Sequence, residues 1–135
     1  MATVNTPDNL KYSKTDEWVR VEGDEVTIGI SDYAQNELGD VVFLELPWDD
    51  AGKEISAGSH FGDIESVKAT SELFAPASGT VVRVNDALKD QPDLVNSDPY
   101  GQGWMLVLKL APAADLSGLM DAAAYIAYNQ NRDDH

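Results

Sequence analysis

The sequence contains no cysteine. Structural disulfides, thiolate metal sites and thiol nucleophiles are thereby excluded, and any sulfur chemistry would have to arrive on a cofactor. Cations are scarce: nine Lys plus Arg stand against 24 Asp plus Glu, a formal net charge of −15 over 135 residues. A nucleic-acid binder neutralises phosphates with clustered cations, and no such cluster is present. The acidity serves solubility first and steering toward basic partner surfaces second. Only two histidines occur, His60 and the terminal His135, far apart in the chain, so a histidine metal site is not expected. No apolar run approaches membrane-spanning length. The start, MATVNTPDN, lacks the arginines of a transit peptide and the apolar core of a secretory signal. These absences predict a soluble, cytoplasmic chain with no affinity for nucleic acid or membrane.

What is present is alternation of period two. Val19 and Val21 alternate with Trp18, Arg20 and Glu22; Gly23-Asp24 offers a turn; Val26, Ile28 and Ile30 line one face of the next strand. VVFLEL, 41–46, is apolar on both faces until Glu45 and reads as a central strand. Val82 and Val84 alternate with Arg83 and Asn85, and Leu106, Leu108 and Leu110 share a face. Short strands separated by Gly, Pro, Asn and Asp predict a mainly β fold, a sandwich or flattened barrel, in one domain over 1–135. Two stretches read as helix: 32–38, with Ser31 as N-cap and Gly39 beyond its end, and about 121–129, with Asp121 as cap. A flexible start over about 1–9 and a flexible tail over about 130–135 complete the expectation. GDVV at 39–42 and SGTVV at 78–82 form a weak internal echo forty residues apart.

The segment FGDIESVKATSELFAPASG, 61–79, places Lys68 between two strand-like stretches, at the bend of a hairpin. A catalytic amine needs burial or a neighbouring cation. The nearby charges are Glu65 and Glu72, so Lys68 is a poor nucleophile. It reads either as a solvated turn lysine or as a modification site that a modifying enzyme reaches without unfolding the domain.

Three separated segments decide between these readings: DEWVRVEGDEVTIGISDYAQNELGDVVFLELP, FGDIESVKATSELFAPASGTVVRVN and LVNSDPYGQGWMLVLK. Together they resemble the H-protein family of the glycine cleavage system, over nearly the whole chain from about Leu10 to Tyr128. The resemblance implies the lipoyl-domain fold, a barrel-sandwich hybrid with short helices and a C-terminal helix. It also implies lipoate in amide linkage to Lys68, within E-S-V-K-A. Biotin carriers of the same fold have Met on both sides of their lysine, where this chain has Val67 and Ala69. Lipoyl domains of 2-oxoacid dehydrogenases are shorter and typically read Asp-Lys-Ala.

The resemblance further implies a non-catalytic carrier in glycine catabolism. It would take an aminomethyl group from a pyridoxal-phosphate glycine decarboxylase (P-protein) to a tetrahydrofolate-dependent aminomethyltransferase (T-protein). Dihydrolipoyl dehydrogenase (L-protein) would reoxidise it, and a lipoate ligase or lipoyltransferase would load it. A monomer suits such a shuttle. For ligase recognition the family's glutamate three residues before the lysine falls on Glu65. Its glycines sixteen before and eleven after fall on Gly52 and Gly79, both also plain turn residues. Positions matching the family's arm cleft are Thr15, Glu17 and Glu72, with the two glutamates expected to hold the cargo's ammonium. Read without the family, these glutamates are equally surface acids. Many members carry His where Asp16 and Glu37 stand, so no imidazole role transfers to either position. Alternatives are a lipoyl carrier for other complexes and an unmodified β-rich binding module. No nucleophile elbow, paired acid–base or phosphate loop supports a stand-alone enzyme.

Overall fold

The computed structural model describes residues 4–112 and 114–133. Along the chain run β1 (Lys11–Tyr12), β2 (Glu17–Glu22), β3 (Glu25–Ile30), α1 (Asp32–Leu38), β4 (Val41–Glu45), β5 (Glu54–Ile55) and β6 (His60–Ser66). They are followed by β7 (Thr70–Phe74), β8 (Gly79–Val84), α2 (Ala87–Asp90), α3 (Leu94–Ser97), β9 (Leu106–Leu110) and α4 (Ala122–Asp133). One sheet has the order β1-β2-β3-β9-β8-β5 and the other β4-β6-β7, with every pairing antiparallel. The fold is thus the expected mainly β sandwich with short helices and a C-terminal helix, and the two sheets do not close into a barrel. Among the described residues no helix is long and apolar enough to cross a membrane.

Three apolar clusters hold the layers together. Val19, Val26, Ile28, Val81, Leu106 and Leu108 fill the space inside the larger sheet. Val41, Leu44, Ile64 and Leu73 from the smaller sheet meet Ile30, Met105 and the short helices α2 and α3 through Leu88 and Val95. The third cluster, Leu10, Tyr12, Trp18, Ala122 and Tyr125, lies under α4. Here the Tyr12 and Tyr125 rings stack at 4.6 Å.

Val26, Ile28 and Ile30 are buried as the alternation predicts. In β2 the alternation gives way. Glu17, Trp18 and Val19 are all fully buried, while Val21 is 46% exposed. Both faces of the strand are covered at its start, one by the sheet core and the other by the α4 layer, and neither is covered at its end. β4 is an edge strand rather than a central one. A register shift between Val41 and Phe43 turns Val42 and Phe43 outward, so only Val41 and Leu44 of the strand reach the core. β8 has the same irregularity between Val81 and Arg83, forty residues on, so the weak echo in the sequence marks a repeated bulge.

Ser31 caps α1, its side chain accepting from the Ala34 amide, and Gly39 ends the helix at φ 77°. Asp121 accepts from the Ala124 amide at 2.8 Å and caps α4. That helix continues to Asp133, where the sequence reading ended it near 129; positions 134–135 of the expected tail and 1–3 of the expected flexible start lie outside the described residues.

Gly29 lies opposite Trp18 in the β2–β3 ladder, and a Cβ there would come within 2.8 Å of the buried indole. Gly29→Ala is therefore expected to destabilise the protein by about 1–3 kcal/mol through overpacking. A urea titration should show a lower midpoint with an unchanged slope; an unchanged midpoint would mean that the ring is free to move.

Candidate functional site

Lys68 lies at the tip of the β6–β7 hairpin, in a turn organised by Ser66. The Ser66 hydroxyl accepts from the Lys68 and Ala69 amides at 3.3 and 3.0 Å, and the Ser66 amide donates to the Ala69 carbonyl at 2.8 Å. The Val67 amide donates to the Asp40 carbonyl at 3.0 Å, tying the tip to the segment between α1 and β4. The backbone of the tip is thus held while the lysine is exposed. Ser66 was not singled out in the sequence, although a Ser hydroxyl bonding backbone two or three residues on is a known turn device.

The lysine side chain lies across Gly39. A Cβ at Gly39 would meet Lys68 Cε at 3.4 Å. Next to Gly39, Leu38 lines a cleft of about 170 Å³ between α1 and the hairpin. Ile30, Ala34, Ile64 and Leu73 supply apolar lining, and Thr15 and Glu37 lie at polar positions along it. Four larger hollows, of about 210, 280, 460 and 460 Å³, occur elsewhere among the described residues, and none is lined by residues 65–72. Of these hollows, this cleft alone takes lining residues from near the hairpin tip, Ser71 and Glu72.

Of the three cleft residues read from the sequence, Thr15 and Glu72 border this space and Glu17 does not. Glu17 is fully buried behind the wall. Its Oε1 accepts from the Ser13 hydroxyl at 2.7 Å and from the Thr15 hydroxyl, and its Oε2 accepts from the Phe74 amide at 3.3 Å. Glu72 borders the cleft through its place in β7, but its carboxylate gathers with the side chains of His60 and Asp63, donor atoms all within 4.8 Å of one another. The Glu17 carboxylate is thus buried away from this space, whereas Glu72 lines it and also stands beside His60 and Asp63.

The two positions where the family's histidine is replaced are informative. Glu37 is exposed and lines the cleft. Asp16 also borders it, at a left-handed φ of 77°. Its carboxylate accepts from the Tyr125 hydroxyl at 2.7 Å and pairs with Arg132, and its carbonyl accepts from the Ser31 amide at 2.9 Å. Arg132 is packed between the Tyr33 and Tyr128 rings, at 4.2 and 4.6 Å from their centroids. The C-terminal helix thus fixes the turn that carries Thr15 and Glu17, a long-range tie that no local motif announces.

Glu65 is exposed on β6, paired with Phe43 and Thr70. Val42, Phe43 and Val67 present exposed apolar side chains around the same end of the small sheet. Gly52 and Gly79 belong to the β5–β8 end of the other sheet. Gly52 adopts φ 95° in an exposed turn. Gly79 is buried, and a Cβ there would strike the Lys109 carbonyl of β9. Both glycines are required by local backbone geometry, and the fold does not bring them into the hairpin tip.

Burial pushes the Glu17 carboxyl up to about 7 from its ordinary 4.5, against the downward pull of Thr15, Ser13 and the Phe74 amide. A raised folded-state pKa means that this group's contribution to stability is complete below pH 4.5 and is lost as pH rises through about 7. Relative to a Glu17→Gln variant, the wild type should therefore lose about 3 kcal/mol between pH 4.5 and pH 8. Paired urea titrations across that range check this; a constant difference between the two proteins would contradict it.

A family described as glycine cleavage H-protein matches residues 10–132. A glycine cleavage system H protein of Geobacillus kaustophilus is 54% identical over 124 residues, covering 92% of this chain and 96% of the relative. A probable glycine cleavage system H protein of Haloarcula marismortui is 50% identical over 121 residues, with 90% and 94% covered. The crystal structure of a glycine cleavage system H protein from Mycobacterium marinum superposes with a TM-score of 0.82 at 37% identity, covering 92% of this chain and 98% of that one. With the fold, the lysine-tipped hairpin and these relatives in agreement over nearly its whole length, the chain belongs to the glycine cleavage H-protein family.

Proposed function

We propose that this protein is the lipoyl-bearing carrier of a glycine cleavage system, with lipoate attached to the Lys68 amine. The observation that carries the reading is the exposed lysine on a hydroxyl-pinned turn, its stem against Gly39 at the end of α1, the helix that lines an apolar cleft with a carboxylate on its rim. The residues present fit the group: Ile30, Ala34, Leu38 and Leu73 offer an apolar bed for an acyl chain, and Val67, Lys68 and Ala69 at the tip are exposed among the described residues. When bound, the dithiolane supplies the sulfur that the sequence lacks and on which an aminomethyl cargo is carried.

The chain's own residues then have separable tasks. Ser66 and the Val67–Asp40 contact hold the tip, so a modifying enzyme meets a formed turn. Gly39, held at φ 77° where α1 ends, is the surface against which the lysine stem rests. The apolar cleft residues exclude water from whatever occupies it. Glu37, on the rim, would favour the protonated form of a cargo amine, which has no lone pair with which to expel a neighbouring thiolate. Thr15 is a positioning residue, its hydroxyl fixed by the buried Glu17. No side chain here is assigned bond-making chemistry; that belongs to the partners, which we propose are the P-, T- and L-proteins and a lipoate ligase or lipoyltransferase. Val42, Phe43, Val67 and Glu65 offer them a mixed apolar and acidic contact around Lys68.

With a P-protein and bicarbonate exchange as the assay, Lys68→Arg should abolish glycine-dependent activity while leaving the fold intact. Full activity in that variant would refute the attachment site. Glu37→Gln should shorten the lifetime of the loaded protein by a few-fold, since an exposed carboxylate contributes on the order of 1 kcal/mol or less. An unchanged decay rate would remove Glu37 from the account.

A further inference from the structure

A two-histidine sequence with the histidines at distant positions argues against a histidine metal site, but the fold supplies carboxylates in place of the missing imidazole. In β6 the register shifts between His60 and Gly62, so that His60 pairs with Phe74 and Asp63 with Glu72. Three residues of β6 therefore span the two-residue step from Phe74 to Glu72. The bulge absorbs the extra residue and brings His60 and Asp63 to one face of the hairpin, although in an unbroken strand their spacing would set them on opposite faces. At the same position Gly62 lets β4 approach closely, because a Cβ there would strike the Glu45 carbonyl.

We infer that His60, Asp63 and Glu72 form a surface site for a first-row divalent cation of the zinc class. Asp63 and Glu72 face each other directly across the strands, an arrangement of like charges that destabilises a sheet unless a cation lies between them. His60 Nε2 is 2.9 Å from Asp63 Oδ1, and the imidazole packs edge-on to Phe74 with centroids 6.3 Å apart, which orients the ring over the carboxylates. One ligand atom from each residue lies within 4.8 Å of the others. Three such points lie within about 2.8 Å of a common centre, and zinc bonds to imidazole and carboxylate are about 2.0–2.2 Å, so small side-chain rotations close the site. One nitrogen and two carboxylate donors on a rigid ladder favour zinc, nickel or cobalt over magnesium and calcium, which prefer all-oxygen sets. The three side chains leave further coordination positions open to water. The ion would draw on the carboxylate of Glu72, a residue that also borders the cleft.

Titration of the full-length protein with Zn²⁺ alone, followed by the imidazole proton resonances and by calorimetry, tests this. With only two histidines the spectrum assigns itself: His60 signals should move and saturate at one ion per chain. Binding should weaken about tenfold or more in His60→Ala and in Asp63→Asn, at least the loss that follows removal of a ligand's supporting partner. Mg²⁺ at equal concentration should leave the His60 signals in place. Movement of the His135 signals alone, a wild-type isotherm in His60→Ala, or an equal response to Mg²⁺ would overturn the assignment.

Discussion

Glu17 takes a carboxyl group fully out of water where the two sheets meet, and the surrounding turn is built to receive it. It stands at the start of β2 in the larger sheet and accepts from the amide of Phe74, the last residue of β7 in the smaller one. Ser13 and Thr15 donate to its other oxygen from the turn before β2. A buried carboxyl without partners is costly, so these donors are obligatory rather than decorative. Through them one side chain fixes the approach of the sheets, the shape of the 13–17 turn and the wall of the cleft beside Lys68.

The turn is held from its other side by α4. Asp16 adopts a backbone conformation that few non-glycine residues take, and its carboxylate is engaged by Tyr125 and Arg132. The aromatic cluster under α4, with Trp18 seated on Gly29, makes that helix a structural layer rather than a tail. The lysine-tipped hairpin can then be exposed without loosening the cleft, because the cleft is set by elements anchored elsewhere. The carboxylate at position 16 works for the helix, and the one at position 37 is left facing the cleft.

Much of this was legible in the sequence. Strand alternation in 26–30, the Ser31 and Asp121 caps and the turn at Gly39 are local, and local rules located them. The lysine at a hairpin bend was equally local, and family resemblance gave it a meaning. What could not be read were consequences of layering. Trp18 and Val19 are both buried because each face of β2 has its own cover, and period-two reasoning allows only one. VVFLEL read as central because both faces are apolar; the bulge at 41–43 instead exposes two of those side chains at a sheet edge. Glu17 and Glu72 matched cleft positions by alignment, but alignment carries no side-chain direction. Burial turned the first inward, while the second lines the cleft and also stands beside His60 and Asp63.

Under the proposed carrier role, the protein needs a constant shape and one chemically addressable point. The pinned turn at 66–69 supplies the point, and the sandwich supplies the shape. The most direct test is the intact mass of the protein produced in cells supplied with lipoate and a working ligase, with peptide mapping across residues 54–83. The account requires a lipoyl addition confined to Lys68. A mass that stays that of the bare polypeptide under those conditions, or an addition on another lysine, would contradict it.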